Sequence, residues 1–160
     1  MDWTRLDSPL GPLTLVSDGT ALTGLWMERQ KYALPPPSGQ PQSHLPVFLQ
    51  TAQWLEAYFS RAPLPALPPL APRGTPFRQA VWALLREIPY GQTTTYGALA
   101  QNLREQGIPA AAQAVGGAVG HNPIAILIPC HRVLGRGGAL TGYAGGLTAK
   151  TFLLALEDVM

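Results

Sequence analysis

One cysteine, Cys130, stands in the whole 160-residue chain, so no disulfide can close within it and a single thiol needs explaining. Histidines are nearly as scarce: His44, His121 and His131 are the only three. With one thiol beside them, a cysteine-rich zinc site is excluded, and no metal is expected. Charged residues make up only 12% of the chain and hydrophobic ones 46%, which excludes a disordered polyelectrolyte. Long apolar runs are missing too. The longest strongly apolar stretch, 124–128, falls far short of the roughly 20 residues a membrane-spanning helix needs, so no membrane partner is expected. Residues 1–5 lack the basic and apolar pattern of a secretory signal, which makes a cytoplasmic protein the expectation.

What charge there is lies unevenly. Segment 73–150 carries seven basic residues against Glu87 and Glu105, while segment 1–72 carries four basic and five acidic ones. A locally basic half permits a polyanionic partner without proving one. Prolines punctuate the first half. The stretch 35–46 reads as a loop, and the proline-rich run 61–76 reads as a stiff, extended linker, because proline fixes φ and lacks an amide proton. We therefore expect a first domain over 1–72, linker included, and a second over 73–160.

In the first domain, segments 13–17 and 20–26 flank Asp18-Gly19, a hairpin signal. Phe48, Ala52, Leu55 and Phe59 then recur at helical spacing, so a small antiparallel sheet followed by one helix is expected. After the linker, Phe77, Val81, Leu84, Leu85 and Ile88 form one face of a helix stopped by Pro89. Thr95 can cap a second helix through Leu103. Gly107-Ile108-Pro109 breaks it, and Pro109 suits the first turn of a third helix over 110–119. These two short helices form a candidate helix-turn-helix. The third helix has Gly116-Gly117 and almost no bulk, which fits either a close helix contact or a face that something approaches. Segment 122–129, closed by Pro123 and Pro129, reads as a buried extended run that delivers Cys130 at a turn. A glycine-rich loop follows, and 147–156 reads as a closing helix.

A thiolate is the nucleophilic form of cysteine, and its pKa falls beside cationic groups. Cys130 has His131 and Arg132 as chain neighbours. Adjacency at a turn does not establish contact, and a lone cysteine is more commonly a buried, inert thiol. A base also needs a third group to orient it, for which Glu157 is the candidate.

Pro129-Cys130-His131-Arg132-Val133, preceded by Asn122-Pro123, matches the active-site signature of the O6-alkylguanine-DNA alkyltransferase family. The likeness runs in order from about residue 74 to 157. Gly74 to Trp82 resembles the family's first catalytic-domain helix, and Ile88 to Tyr96 the lead-in to its helix-turn-helix. Ala114-Val115-Gly116-Gly117-Ala118 resembles the recognition helix. Tyr143 to Leu147, with Lys150 and Glu157, resembles the final loop and helix.

That resemblance implies an α/β first domain and a mainly helical, winged-helix-like second domain with a helix-turn-helix. It implies transfer of an alkyl group from O6-alkylguanine, with O4-alkylthymine a second candidate, in double-stranded DNA to Cys130. Each molecule would act once, without cofactor, and as a monomer. His131, oriented by Glu157 and acting through a water, would take the thiol proton. Tyr96 would lie near a phosphate and help protonate the leaving base, and Asn122 would brace the active-site segment. Thr95, Tyr96, Gln113, Ala114, Gly116 and Gly117 would meet DNA, the helix entering the minor groove. Val133, Tyr143, Ala144, Gly145 and Lys150 would shape the pocket for an extruded base. Arg132 would be a structural anchor.

Three features depart from the family pattern. Gln113 stands where an arginine usually fills the gap left by the flipped nucleotide, and Ala144 where a serine is common. The turn from Tyr96 to Gln113 is longer than usual. Other readings are a non-catalytic, alkyltransferase-like damage sensor, a cysteine hydrolase, and a helix-turn-helix regulator of specific sequences. The sensor relatives generally lack the cysteine, and a major-groove reader would need more polar side chains than Gln113 alone.

Overall fold

The computed structural model describes residues 1–28 and 30–160. The chain divides into two compact units, Met1–Arg73 with Pro123–Ala125, and Gly74–Asn122 with Ile126–Met160.

The first unit is built on a three-stranded antiparallel sheet, β1 (Asp2–Leu6), β2 (Leu13–Ser17) and β3 (Leu22–Met27), with β2 in the middle. The hairpin expected at Asp18-Gly19 joins β2 to β3, and β1 is an added strand. Asp18 holds the turn, its Oδ1 accepting from the Thr20 and Ala21 amides at 3.0 and 2.9 Å. β3 also meets two distant pieces of chain. Leu22 donates to the Pro69 carbonyl and Leu25 to the Pro123 carbonyl, which brings Pro123–Ala125 into this unit. Segment 62–69 has no regular structure, as its prolines dictate.

Helix α1 (Pro46–Ser60) follows, opened by Pro46 in its first turn and closed by Arg61 in the left-handed region at φ 60°. Pro46 thus starts the helix and does not close the loop before it. Its buried face is Val47, Phe48, Thr51, Trp54, Leu55 and Tyr58. The Phe48-Ala52-Leu55-Phe59 stripe is therefore offset, with Ala52 and Phe59 only half-buried. Two aromatics missing from that stripe decide the orientation, since Trp54 and Tyr58 stack at 5.3 Å and bury the larger area.

The second unit contains α2 (Pro76–Leu85), β4 (Thr94–Thr95), α3 (Tyr96–Glu105), α4 (Ala112–Gly120), β5 (Val133–Leu134) and α5 (Leu147–Leu156). Thr75 caps α2 by accepting from the Arg78 amide at 3.2 Å. Gly74 cannot carry a side chain, because a Cβ there would lie 2.5 Å from the Trp82 ring. Trp82 itself is buried, and its indole N–H donates to the Ala118 carbonyl at 2.8 Å, tying α2 to α4. Thr95 caps α3 through the Ala98 amide at 3.1 Å, as its position predicts.

Helices α3 and α4 form the helix-turn-helix. The third helix begins at Ala112, two residues later than expected, and Pro109 lies outside its first turn. Arg104 explains the delay: its guanidinium donates to the Ala110 carbonyl at 2.7 Å, holding that residue in the turn. Segment 122–129 is buried as expected but turned, not extended. Ile126 sits at φ 71°, a left-handed kink that no straight strand allows. Parallel pairing of Thr94–Thr95 with Val133–Leu134 joins the start of α3 to the residue after Cys130-His131-Arg132. The closing helix spans Leu147–Leu156, as read from the sequence.

Among the described residues, no helix is long and apolar enough to cross a membrane. No group of three or more metal-ligating side chains occurs among them either.

Candidate active site around Cys130

Cys130, His131 and Arg132 occupy a single 3₁₀ turn, and all three are buried. That turn points adjacent side chains apart, which is why chain adjacency alone could not place them. His131 turns to the end of α5, where its Nε2 lies 2.6 Å from Glu157 Oε2. The same carboxylate takes a forked pair from Arg132, Nε to Oε1 at 2.8 Å and Nη2 to Oε2 at 3.1 Å. It also accepts the Gly91 amide on Oε1 at 3.0 Å. Arg132 spends its remaining nitrogen on the Ile88 carbonyl at 2.7 Å.

The electrostatics follow from this wiring. Burial works to raise the Glu157 carboxyl, but hydrogen bonds from His131 and Arg132, the His131 charge and the Gly91 amide outweigh it and hold it at about 2. Glu157 is therefore ionised, so it is His131 Nε2–H that donates in the short bond. Burial pulls the His131 pKa below its usual value, against the opposing pull of Glu157, and the ring is neutral at neutral pH. Burial likewise pushes the Cys130 thiol up, while hydrogen bonds from Asn122 and Tyr143 and the Lys150 charge pull the other way. The resting group is a thiol with thiolate-stabilising donors already around it.

Asn122 braces the segment before the cysteine, its side-chain amide donating to the Ile128 carbonyl at 2.8 Å. Lys150 is wholly buried and donates to the Val133 carbonyl at 2.5 Å and the Thr141 carbonyl at 2.9 Å. It ties the residue after the 3₁₀ turn to the glycine-rich loop, and burial lowers its pKa. Tyr96, at the start of α3, reaches the same loop, with its hydroxyl donating to the Gly142 carbonyl at 3.4 Å. Burial raises its pKa, so it keeps its proton.

The structure thus gathers Cys130, His131, Arg132, Val133, Glu157, Asn122, Tyr143 and Lys150 in one place, with Tyr96 at the edge. Ala144 and Gly145 are half-exposed on the loop between Tyr143 and α5. Gln113, Ala114 and Gly117 are exposed on α4, with Gly116 half-buried beside them. Thr95 works as the α3 cap. Sequence reasoning missed the carbonyl of Ile88, the amide of Gly91 and the ring of Tyr90, because a helix stop followed by a lead-in segment gives these groups no partners. Nothing in a turn signal names its partner 66 residues away at Glu157.

These features define a class: a small sheet-and-helix unit with a helix-turn-helix unit built round a buried cysteine that a His-Glu-Arg string supports. The 6-O-methylguanine DNA methyltransferase DNA-binding domain matches residues 76–159, and the ribonuclease-like domain of the same methyltransferases matches residues 1–71. A methylated-DNA–protein-cysteine methyltransferase of Haemophilus influenzae is 48% identical over 158 residues, 98% of this chain and 86% of that protein. Its counterpart in Mycobacterium bovis is 47% identical, over 97% of this chain and 91% of that protein. Mycobacterium tuberculosis OGT, solved in complex with DNA, superposes with a TM-score of 0.83 at 44% identity, covering 99% of this chain and 93% of that one. The chain belongs to the 6-O-methylguanine DNA methyltransferase family.

Proposed function

We propose that this protein repairs DNA by direct reversal, moving the alkyl group of O6-alkylguanine in duplex DNA onto Cys130. The observation that carries the reading is the buried His131–Glu157 pair, 2.6 Å apart, with His131 on the same 3₁₀ turn as the buried Cys130 in a helix-turn-helix unit. Since Nε2 carries the proton shared with Glu157, the lone pair of a neutral His131 lies on Nδ1, the nitrogen that accepts the thiol proton through a water. The Glu157 carboxylate stabilises the imidazolium that results. Asn122, Tyr143 and the Lys150 charge stabilise the thiolate. The sulfur attacks the alkyl carbon, the S–C bond forms as the O6–C bond breaks, and guanine leaves with its electron pair. Tyr96, which keeps its proton, supplies one to the departing base. The thioether is stable, so each molecule turns over once.

A stacked base cannot meet a buried thiol, so the damaged nucleotide has to leave the helix. The smooth face of Ala114, Gly116 and Gly117 lets α4 approach the minor groove closely, and Gln113 fills the gap. Val133, Tyr143, Ala144, Gly145 and Lys150 frame the pocket, and Thr95 and Tyr96 meet the phosphates. Because glutamine is uncharged, Gln113→Arg is expected to tighten duplex binding by about 1–3 kcal/mol at fixed salt. Unchanged affinity and rate in that variant refute the idea.

The deciding experiment is intact-protein mass spectrometry after incubation with a duplex holding one O6-methylguanine. A single methyl gained by the wild type and absent in Cys130→Ser supports transfer. Lesion binding with no change of mass refutes it and favours a damage sensor.

A further inference from the structure

One exposed aromatic reaches the buried Arg132. Tyr90, on the turn between α2 and β4, is 42% exposed, yet its ring lies over Arg132, 5.7 Å from the guanidinium carbon to the ring centre. Its hydroxyl donates at 3.3 Å to the carbonyl of Leu156, the residue before Glu157. Gly91, next in the chain, gives its amide to Glu157 Oε1, and the Ile88 carbonyl, two residues before Tyr90, accepts from Arg132 Nη1. Gly91 has φ 78°, and a Cβ there would lie 3.4 Å from the Glu157 carbonyl oxygen, so the turn fits closely against the end of α5. One short turn therefore grips both members of the Arg132–Glu157 pair.

We propose that Tyr90 is a positioning residue for the alkyl transfer: its ring covers the outer side of the Arg132–Glu157 pair and so fixes the carboxylate that orients His131. The inference rests on the reading of His131 as the base for Cys130. A guanidinium is attracted to the face of an aromatic ring, and the attraction grows as water is excluded. Held there, Arg132 keeps its fork on the carboxylate, and the carboxylate presents Oε2 to the imidazole in one orientation. Without the ring, water reaches the pair from the side that Tyr90 now covers. Arg132 gains room to move, the carboxylate turns, and His131 loses its fixed tautomer. The ring face meets Arg132 while the hydroxyl meets a backbone carbonyl, so the ring carries the effect.

The test combines single-turnover transfer from an O6-methylguanine duplex with proton NMR of the His131 Nε2–H, both on the full chain. In the wild type this proton is expected far downfield and slow to exchange. Tyr90→Phe is expected to keep the signal and most of the rate. Tyr90→Leu is expected to expose the proton to exchange and to slow transfer at saturating DNA by about two- to fivefold, with DNA affinity unchanged. A Tyr90→Leu chain with the wild-type signal and rate overturns the proposal, as does equal loss in Tyr90→Phe. A wild type that never gains a methyl defeats the repair reading instead, and the exchange measurement still decides whether Tyr90 positions His131.

Discussion

The two units bury their polar groups in different ways. In the first, the buried polar side chains among the described residues are all hydroxyls: Thr4, Thr14, Ser17, Thr23 and Thr51. In the second they are one amide and four ionisable groups: Asn122, His131, Arg132, Lys150 and Glu157. A hydroxyl can satisfy itself on a nearby carbonyl, as Thr51 does on Val47 at 2.7 Å, and asks little of the fold. An ionised group cannot; it needs partners from several elements, each held in place. The first unit therefore satisfies its buried polar groups locally, while the second holds its buried charges through partners from several elements.

The sharpest way to break this contrast is at Glu157. Glu157→Ala leaves Arg132 buried with no carboxylate and His131 with no orienting group. Denaturant unfolding is expected to show a loss of about 3–5 kcal/mol, and alkyl transfer to fall with it. Replacing Arg132 and Glu157 together by Met and Leu is expected to recover most of that stability and none of the transfer. A full loss in the double variant says that the pair itself stabilises the fold.

Acid gives a second route to the same charges. The Glu157 carboxyl titrates at 4.5 when unperturbed and is held at about 2 in the folded chain. A depressed carboxyl contributes stability above its unfolded value, and that contribution is lost as pH falls from 4.5 towards 2. His131 acts in the same direction but higher. Its folded pKa lies below the unfolded 6.5, so protonation favours the unfolded chain as pH drops through that value. Urea unfolding of the full chain is thus expected to weaken from pH 7 downwards, and Glu157→Gln to flatten the lower part of the curve. An unchanged lower part in that variant removes Glu157 from the account.

A smaller effect is expected at Lys150. Lys150→Met strips the donor from the Val133 and Thr141 carbonyls and is expected to cost about 1–3 kcal/mol in denaturant unfolding. It also removes a charge that favours the thiolate, so single-turnover transfer should slow even where the variant is fully folded. The smallest effect belongs to the first unit. Thr51→Val keeps the shape and loses only a bond within α1, and its unfolding midpoint is expected to move by less than about 1 kcal/mol of stability. A larger loss there would show that the hydroxyls of the first unit do more than satisfy themselves.

Much of the fold was legible because it is written in local signals. Thr95 caps its helix, Asp18-Gly19 turns the hairpin, and α5 spans the residues its pattern gives. The structure departs from these readings where side-chain contacts overrule the backbone signals. Arg104 delays α4 by holding Ala110, and Trp54 with Tyr58 turns α1 away from its Phe48-Phe59 stripe. The kink at Ile126 has no glycine or proline of its own to announce it. At the candidate site, the motif and the likeness to the family named the side chains, but not the contacts that Ile88–Gly91 makes with Arg132 and Glu157. Its contribution is a carbonyl, an amide and a ring face, and the first two belong to nearly every residue of every sequence.

The Cys130-His131-Arg132 turn has a consequence for how this region can vary. A 3₁₀ turn holds about three residues, so successive side chains leave it roughly 120° apart. The imidazole reaches Glu157, while the guanidinium spans Glu157 and the Ile88 carbonyl, so two of the three neighbours converge on one carboxylate. The motif behaves as a hub with a fixed pitch. A single residue inserted or deleted within it would turn the following side chains by about 120°, away from the carboxylate and carbonyl they now meet. Substitution at one spoke is a local change; a change of length is a rotation of the whole hub.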